Sequence, residues 1–333
     1  MASDSRTTGA SLPKIATIED GPLSKYLPYA SLLLASSILI IVLVSNILER
    51  WVLRLVYREF YINMEQSKDE RRRRSFVYYH VGAFVMLTIL CSGMYPVMRF
   101  LVSPGQTLSS PMVAGGKLKL GDMLLALAQA YSAYYIFELC YRTKLASPIN
   151  IAHHTGLLVI IQTSIALFGN YQDNAEATIE FYMCIFWGIF DVCVELPIFT
   201  TMIVWRLQEK NPRLRSWLAY ACFAWLLLGA TVETSVTIYL LHASWDRWGT
   251  AWKVITPVIF SLWISTQLYA SKTLFQMARS QQRQTAQRGP TIADMGSELG
   301  LATVDTDGGP SGYDTEKSGS SLHGPRIRVT EVA

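Results

Sequence analysis

Two adjacent histidines, His153 and His154, stand inside a long apolar stretch. Glu138 lies in the apolar stretch before it, and Asp191 and Glu195 in the one after, spaced i, i+4 so that a helix presents both on one face. These residue types at close range suit proton transfer. A carboxylate orients an imidazole, and the imidazole takes a proton from an amine or hydroxyl as general base. In lipid such groups are costly, about 2.5–3.5 kcal/mol for an Asp or Lys at the centre of a span on insertion scales, so a cluster of them needs a reason. The structural alternative is that they only pair across helices and fix a bundle.

The elements that must position them are membrane spans. Of the 333 residues 51% are hydrophobic and 16% charged, and mean hydropathy is +0.25. Soluble domains carry about 25% charged residues. The apolar residues fall in runs of about 20, enough for a helix to cross a bilayer core, and no alternation of a strand-built barrel occurs. The predicted fold is therefore an all-α membrane protein with about seven transmembrane helices in a bundle. The spans are expected near 26–47, 77–102, 122–141, 148–169, 177–207, 217–242 and 250–277. Ser147 and Pro148 form a helix start, with Ser as N-cap and Pro as first helical residue. Pro197 is expected to kink the fifth span.

Depth follows from a rise of about 1.5 Å per residue. His153 and His154 lie about 8–9 Å inside Pro148, and Glu138 about 6 Å inside Arg142. His80 is close to the same end of the second span, Glu195 is about 15 Å inside Arg206, and Asp191 is near mid-membrane. Glu233 is the exception, in the far half of the sixth span, and reads as structural.

The chain divides into a disordered tail (1–25), a first span with a basic juxtamembrane segment (26–74), the main transmembrane region (75–279) and a disordered tail (280–333). Arg50, Arg54 and Arg58 oppose Trp51, Leu55 and Phe60 on a predicted amphipathic helix. Arg71, Arg72, Arg73 and Arg74 follow, and suit either an anionic leaflet or a topogenic loop. Lys and Arg concentrate in alternate loops, which places the N-terminus in the lumen and the C-terminus in the cytosol. The five cysteines all fall in spans without CxxC spacing and read as small hydrophobes. There is no N-x-S/T acceptor.

Other chemistries thin out. Two adjacent and three scattered histidines do not fill a di-iron centre, and no metal site is expected. No Lys stands in the middle of the seventh span, as a retinal protein needs. There is no phosphate-cradling Gly loop and no nucleophile elbow, so no bound cofactor is expected. The basic residues flank spans, which argues against nucleic acid.

The order of these features resembles the TLC family, named for TRAM, LAG1 and CLN8. The matching residues are Tyr134-Tyr135-Ile136-Phe137-Glu138-Leu139, a short basic loop, His153-His154, then Asp191-Val192-Cys193-Val194-Glu195-Leu196-Pro197 and Trp205-Arg206. The resemblance covers roughly residues 75–280. Glu138 stands where the family often has Asp, Gly156-Leu157 follow where the synthases favour HH-x-x-T, and no homeobox-like domain is present. Ceramide synthases of that family transfer an acyl group from acyl-CoA to a sphingoid base. The resemblance therefore implies His153 and His154 as catalytic, Asp191 and Glu195 with them, Glu138 and His80 in support, acyl-CoA as co-substrate, membrane lipids as partners and the endoplasmic reticulum as location. Other members act in lipid composition or trafficking without an assigned reaction, so a non-enzymatic lipid-binding role stays open. A seven-span receptor fits the parity but lacks Asp-Arg-Tyr and Asn-Pro-x-x-Tyr landmarks. A homo-oligomer is compatible with the sequence.

Overall fold

The computed structural model describes residues 13–67, 70–142, 147–174 and 176–288. Its helices in chain order are α1 (Lys14–Thr17), α2 (Ala30–Ile47), α3 (Leu53–Gln66), α4 (Glu70–Val102), α5 (Leu120–Arg142), α6 (Pro148–Leu167), α7 (Ala177–Leu207), α8 (Pro212–Ser244) and α9 (Thr250–Arg288). Seven helices are long and apolar enough to cross a bilayer, the first running from Leu27 to Gln66. The chain is an integral multi-pass membrane protein. Helix α4 packs on α5 and α7, α6 on α5, α7 and α9, and α8 on α7 and α9, while α2 lies outside against α5 and α4. Leu32, Leu39 and Ile40 of α2, like Ile238 of α8 and Val258 of α9, are exposed apolar side chains. Lipid tails would meet them without cost.

Helix starts follow side-chain chemistry. The Ser147 hydroxyl accepts from the Asn150 N–H at 3.3 Å ahead of Pro148, as expected. Asn211 does the same for the Leu214 N–H at 3.0 Å ahead of Pro212, so α8 begins five residues before its predicted start. Helix α7 runs unbroken through Pro197. Proline cannot donate to the carbonyl four residues back. That carbonyl, on Cys193, accepts instead from the indole N–H of Trp225 on α8 at 3.1 Å. In the second span Gly82 allows close approach: a Cβ there would lie 2.8 Å from the Phe199 ring and 2.9 Å from the Tyr134 hydroxyl.

The expected termini need correction. Of the N-terminal tail, residues 1–12 lie outside the described chain, but residues 13–25 pack on the bundle. Ile15, Ile18 and Leu23 are buried. The Lys14 ammonium donates to the carbonyls of Phe100 and, at 3.0 Å, Ser103, where α4 ends. The Ser24 hydroxyl donates to Asp122 at 2.6 Å, and Arg247 donates to the Ile15 carbonyl at 3.0 Å. Gly121 is obligatory here, because a Cβ would fall 1.7 Å from the Leu23 carbonyl oxygen. At the other terminus α9 continues past Ser280 to Arg288, since Gln, Arg and Ala propagate a helix and no Gly or Pro intervenes. It is tied to α8 by Ser216 to the Ala278 carbonyl (3.0 Å) and Tyr220 to Gln282 (3.1 Å). Residues 289–333 lie outside the described chain.

The basic segment also differs. A π-helical turn at Leu48–Val52 and a break at Arg58 (φ 40°, ψ −118°) interrupt the expected regular helix. Arg54 reaches across the break to Glu65 at 2.8 Å. The four arginines begin α4 rather than a loop. Arg72 pairs with Glu209, Arg73 with Glu49, and Arg74 with Glu70 at 2.6 Å.

Candidate functional site

Four helices, α6, α7, α8 and α9, converge on a cleft of about 540 Å³ of empty space toward the end of the bundle that carries the four arginines. His153 and His154 come from α6, Asp191 and Glu195 from α7, Trp263 and Gln267 from α9. The placement follows from local folding. The Ser147–Pro148 start fixes where α6 begins, and five residues later both rings turn inward, 5.1 Å apart between centroids. The edge-to-face contact of His153 with Trp263, at 5.0 Å and 84°, sets its ring plane. His153 has no hydrogen-bond partner among the described residues, though it lines the cleft.

His154 is held differently. Its Nδ1 lies 3.4 Å from the Glu138 carboxylate, and its ring lies 4.7 Å from that of Tyr135. Arg142 donates to the other Glu138 oxygen at 3.1 Å, and its guanidinium sits 4.3 Å above the Tyr78 ring. Arg142 is only 1% exposed. The span ends at Arg142 as expected, but that residue is buried by an acid one turn back and an aromatic face from α4. Lys144 of the same loop lies outside the described residues.

Asp191 is not bonded to either imidazole. Its Oδ2 accepts from the hydroxyls of Tyr131 and Tyr135, whose oxygens lie 2.7 Å apart. Each phenol has one proton, and both go to this carboxylate. Tyr134, on the same side of α5, donates to the Tyr78 hydroxyl at 2.9 Å. Tyr131 also lines a second space of about 580 Å³, an apolar groove between α4, α5, α6 and α7 walled by residues such as Leu90, Leu127, Ile161 and Ile189. The ring of Tyr131 thus stands in the groove's wall, and its hydroxyl reaches a wall of the cleft.

The structure brings His153, His154, Asp191 and Glu195 to one cleft and joins Glu138 to His154. His80 is elsewhere. Its Nδ1 donates to the Phe76 carbonyl at 2.8 Å, so its Nε2 accepts from the Tyr57 hydroxyl at 2.8 Å, which ties α3 to α4. Glu233, expected to be merely structural, accepts at 2.7 Å from Gln267, a residue of the cleft wall. Tyr131, Arg142, Trp263 and Gln267 are site residues that the sequence reading does not assign, and Tyr135 enters it only within the Tyr134–Leu139 segment. The spacing of Tyr131, Tyr134, Tyr135, Glu138 and Arg142, one face of a helix over three turns, was the available signal. Among the described residues no three His, Cys, Asp or Glu side chains gather as they would around a metal ion. Comparison with protein-family models, curated proteins and solved structures finds no match.

Proposed function

We propose that this protein acts on a membrane lipid, with the polar end in the cleft and a hydrocarbon tail in the apolar groove, and that the reaction is acyl transfer from an acyl-CoA to a lipid amine or hydroxyl. What supports this reading is one juxtaposition. His153 opens on a cleft it shares with two carboxylates, and one residue, Tyr131, links that cleft to a groove of tail-like apolarity. In the step envisaged, His153 takes the proton of the acceptor N–H or O–H. The acceptor atom bonds to the acyl carbonyl carbon, the carbon–sulfur bond breaks, and the leaving thiolate takes the proton back from the imidazolium. His154, held by Glu138, fixes the neighbouring wall. On this reading the chain is a TLC-like protein of the endoplasmic reticulum with its C-terminus in the cytosol, where acyl-CoA is found, and Arg71 to Arg74 face the anionic leaflet.

The test is acyl transfer in liposomes by the full chain and by His153→Ala and His154→Ala. Loss of a general base costs about 10²–10⁴-fold in rate, so undiminished turnover in both variants rejects the reaction. A second reading, a non-enzymatic lipid-binding protein, is favoured by the commitment of two acids to other partners, Asp191 to tyrosines and Glu138 to Arg142. Lipid profiles of a deletion strain separate the two: one missing acylated product marks the enzyme, and diffuse phospholipid change marks the binding protein.

A further inference from the structure

Gln267 and Glu233 belong to helices that meet beside the cleft, and neither has a place in the proton transfer above. Glu233 is 1% exposed, and its only hydrogen-bond partner among the described residues is the Gln267 side-chain N–H. The Gln267 amide points its N–H at Glu233 Oε2, at 2.7 Å. The other end of that amide, the carbonyl oxygen Oε1, is left without a protein partner on a residue that lines the cleft. A buried acid that holds one end of an amide on the cleft wall leaves the other end to set the sign of the hydrogen bond offered there. Other polar groups near it do not take up the oxygen: the Thr266 hydroxyl donates to the Leu262 carbonyl at 2.9 Å.

We infer that Gln267 Oε1, oriented by Glu233, is the acceptor subsite that selects a hydrogen-bond-donating group on the bound lipid, so that the cleft takes hydroxyl- or amine-bearing headgroups and rejects their methylated counterparts. The inference rests on the reading of the cleft as a lipid site. Gln267 is a binding residue, and Glu233 is a positioning residue acting through it. An apolar contact cannot tell a hydroxyl from its methyl ether by much. A site built to bond the hydrogen leaves Oε1 unpaired against the ether, and selection follows from that loss.

The probes are dodecanol and dodecyl methyl ether, with dodecylamine and its trimethylammonium analogue as a second pair. Binding to the full chain in detergent is measured by calorimetry. The wild type is expected to prefer the donor-bearing member of each pair about 3–10-fold, in line with one net hydrogen bond. Gln267→Leu is expected to erase the preference. Glu233→Gln, close in shape, is expected to weaken it while leaving affinity for the ethers unchanged, which a merely structural role for Glu233 would not do. Helical content and thermal unfolding of each variant identify any that fail to fold, and Gln267→Met then replaces Gln267→Leu. A preference that persists in a folded Gln267 variant overturns the subsite and leaves the lipid reading standing. Binding of none of the four probes to the wild type overturns the lipid reading and the subsite with it.

Discussion

Removing the Asp191 carboxylate should do more harm with its tyrosines present than without them. In the native bundle Tyr131 and Tyr135 each donate to Asp191 Oδ2, and both rings are buried. A hydrogen bond to a charged group contributes about 1.5–3 kcal/mol, and a buried hydroxyl left without a partner costs about 1–3 kcal/mol. Asp191→Ala in the native background should therefore cost about 3–5 kcal/mol, since the two bonds share one oxygen and do not add fully. In a Tyr131→Phe, Tyr135→Phe background the acid has already lost both donors and no phenol is left to be orphaned, so the same change should cost about 3–5 kcal/mol less, close to nothing. The difference is read by reversible unfolding of purified protein in mixed micelles, completing the cycle of single, double and triple variants. Equal costs of Asp191→Ala in both backgrounds would refute the reasoning, for they would mean that the tyrosines do not hold the acid. Asp191 would then be free to orient His153.

Two further outcomes concern the bundle itself. Trp225→Phe removes the donor to the Cys193 carbonyl and should cost about 0.6–1.5 kcal/mol in the same assay; in a Pro197→Leu background, where the backbone N–H is restored, the cost should largely vanish. Burial lowers the Lys14 ammonium from its ordinary 10.5 to about 8. The docked segment thus binds fewer protons than the free one between those values, so docking is fully strengthened above pH 10.5 and loses that contribution as pH falls through 8. Competitive acetylation of Lys14 should titrate with a midpoint near 8, and a midpoint at 10 or above would contradict it.

What could be read from the chain divides along a physical line. The spans are legible because about 20 apolar residues in a row have few fates in water or lipid. Their ends are not: Ser280–Arg288 is polar, so hydropathy stops before the helix does. The depth of His153, His154, Glu138 and Asp191 follows from a fixed rise per residue, and the structure does bring them to one layer. Depth carries no azimuth, however. Which acid meets which ring depends on how α5 and α7 rotate about their axes, and that is set by packing such as the Gly82 contact with Phe199. Hence Glu138, not Asp191, is the acid beside the doublet. Arg142 is a related case. A lone arginine at the end of an apolar run reads as an exposed charge, and its burial depends on Glu138 and on the Tyr78 ring from another helix. Ile15, Ile18 and Leu23 are too sparse to register as a core, yet all three are buried, with α1 packed on α8 from far along the chain.

The position of Tyr131 makes the two empty spaces answerable to each other. Its side chain lines the apolar groove, while its oxygen holds an acid of the cleft. A guest that displaces the ring on the first side alters the grip on Asp191 on the second. By thermodynamic reciprocity, whatever tightens that grip changes the welcome given to the guest by the same factor. On the lipid reading proposed above, a single phenol would couple the length of a tail to the place where a headgroup is read.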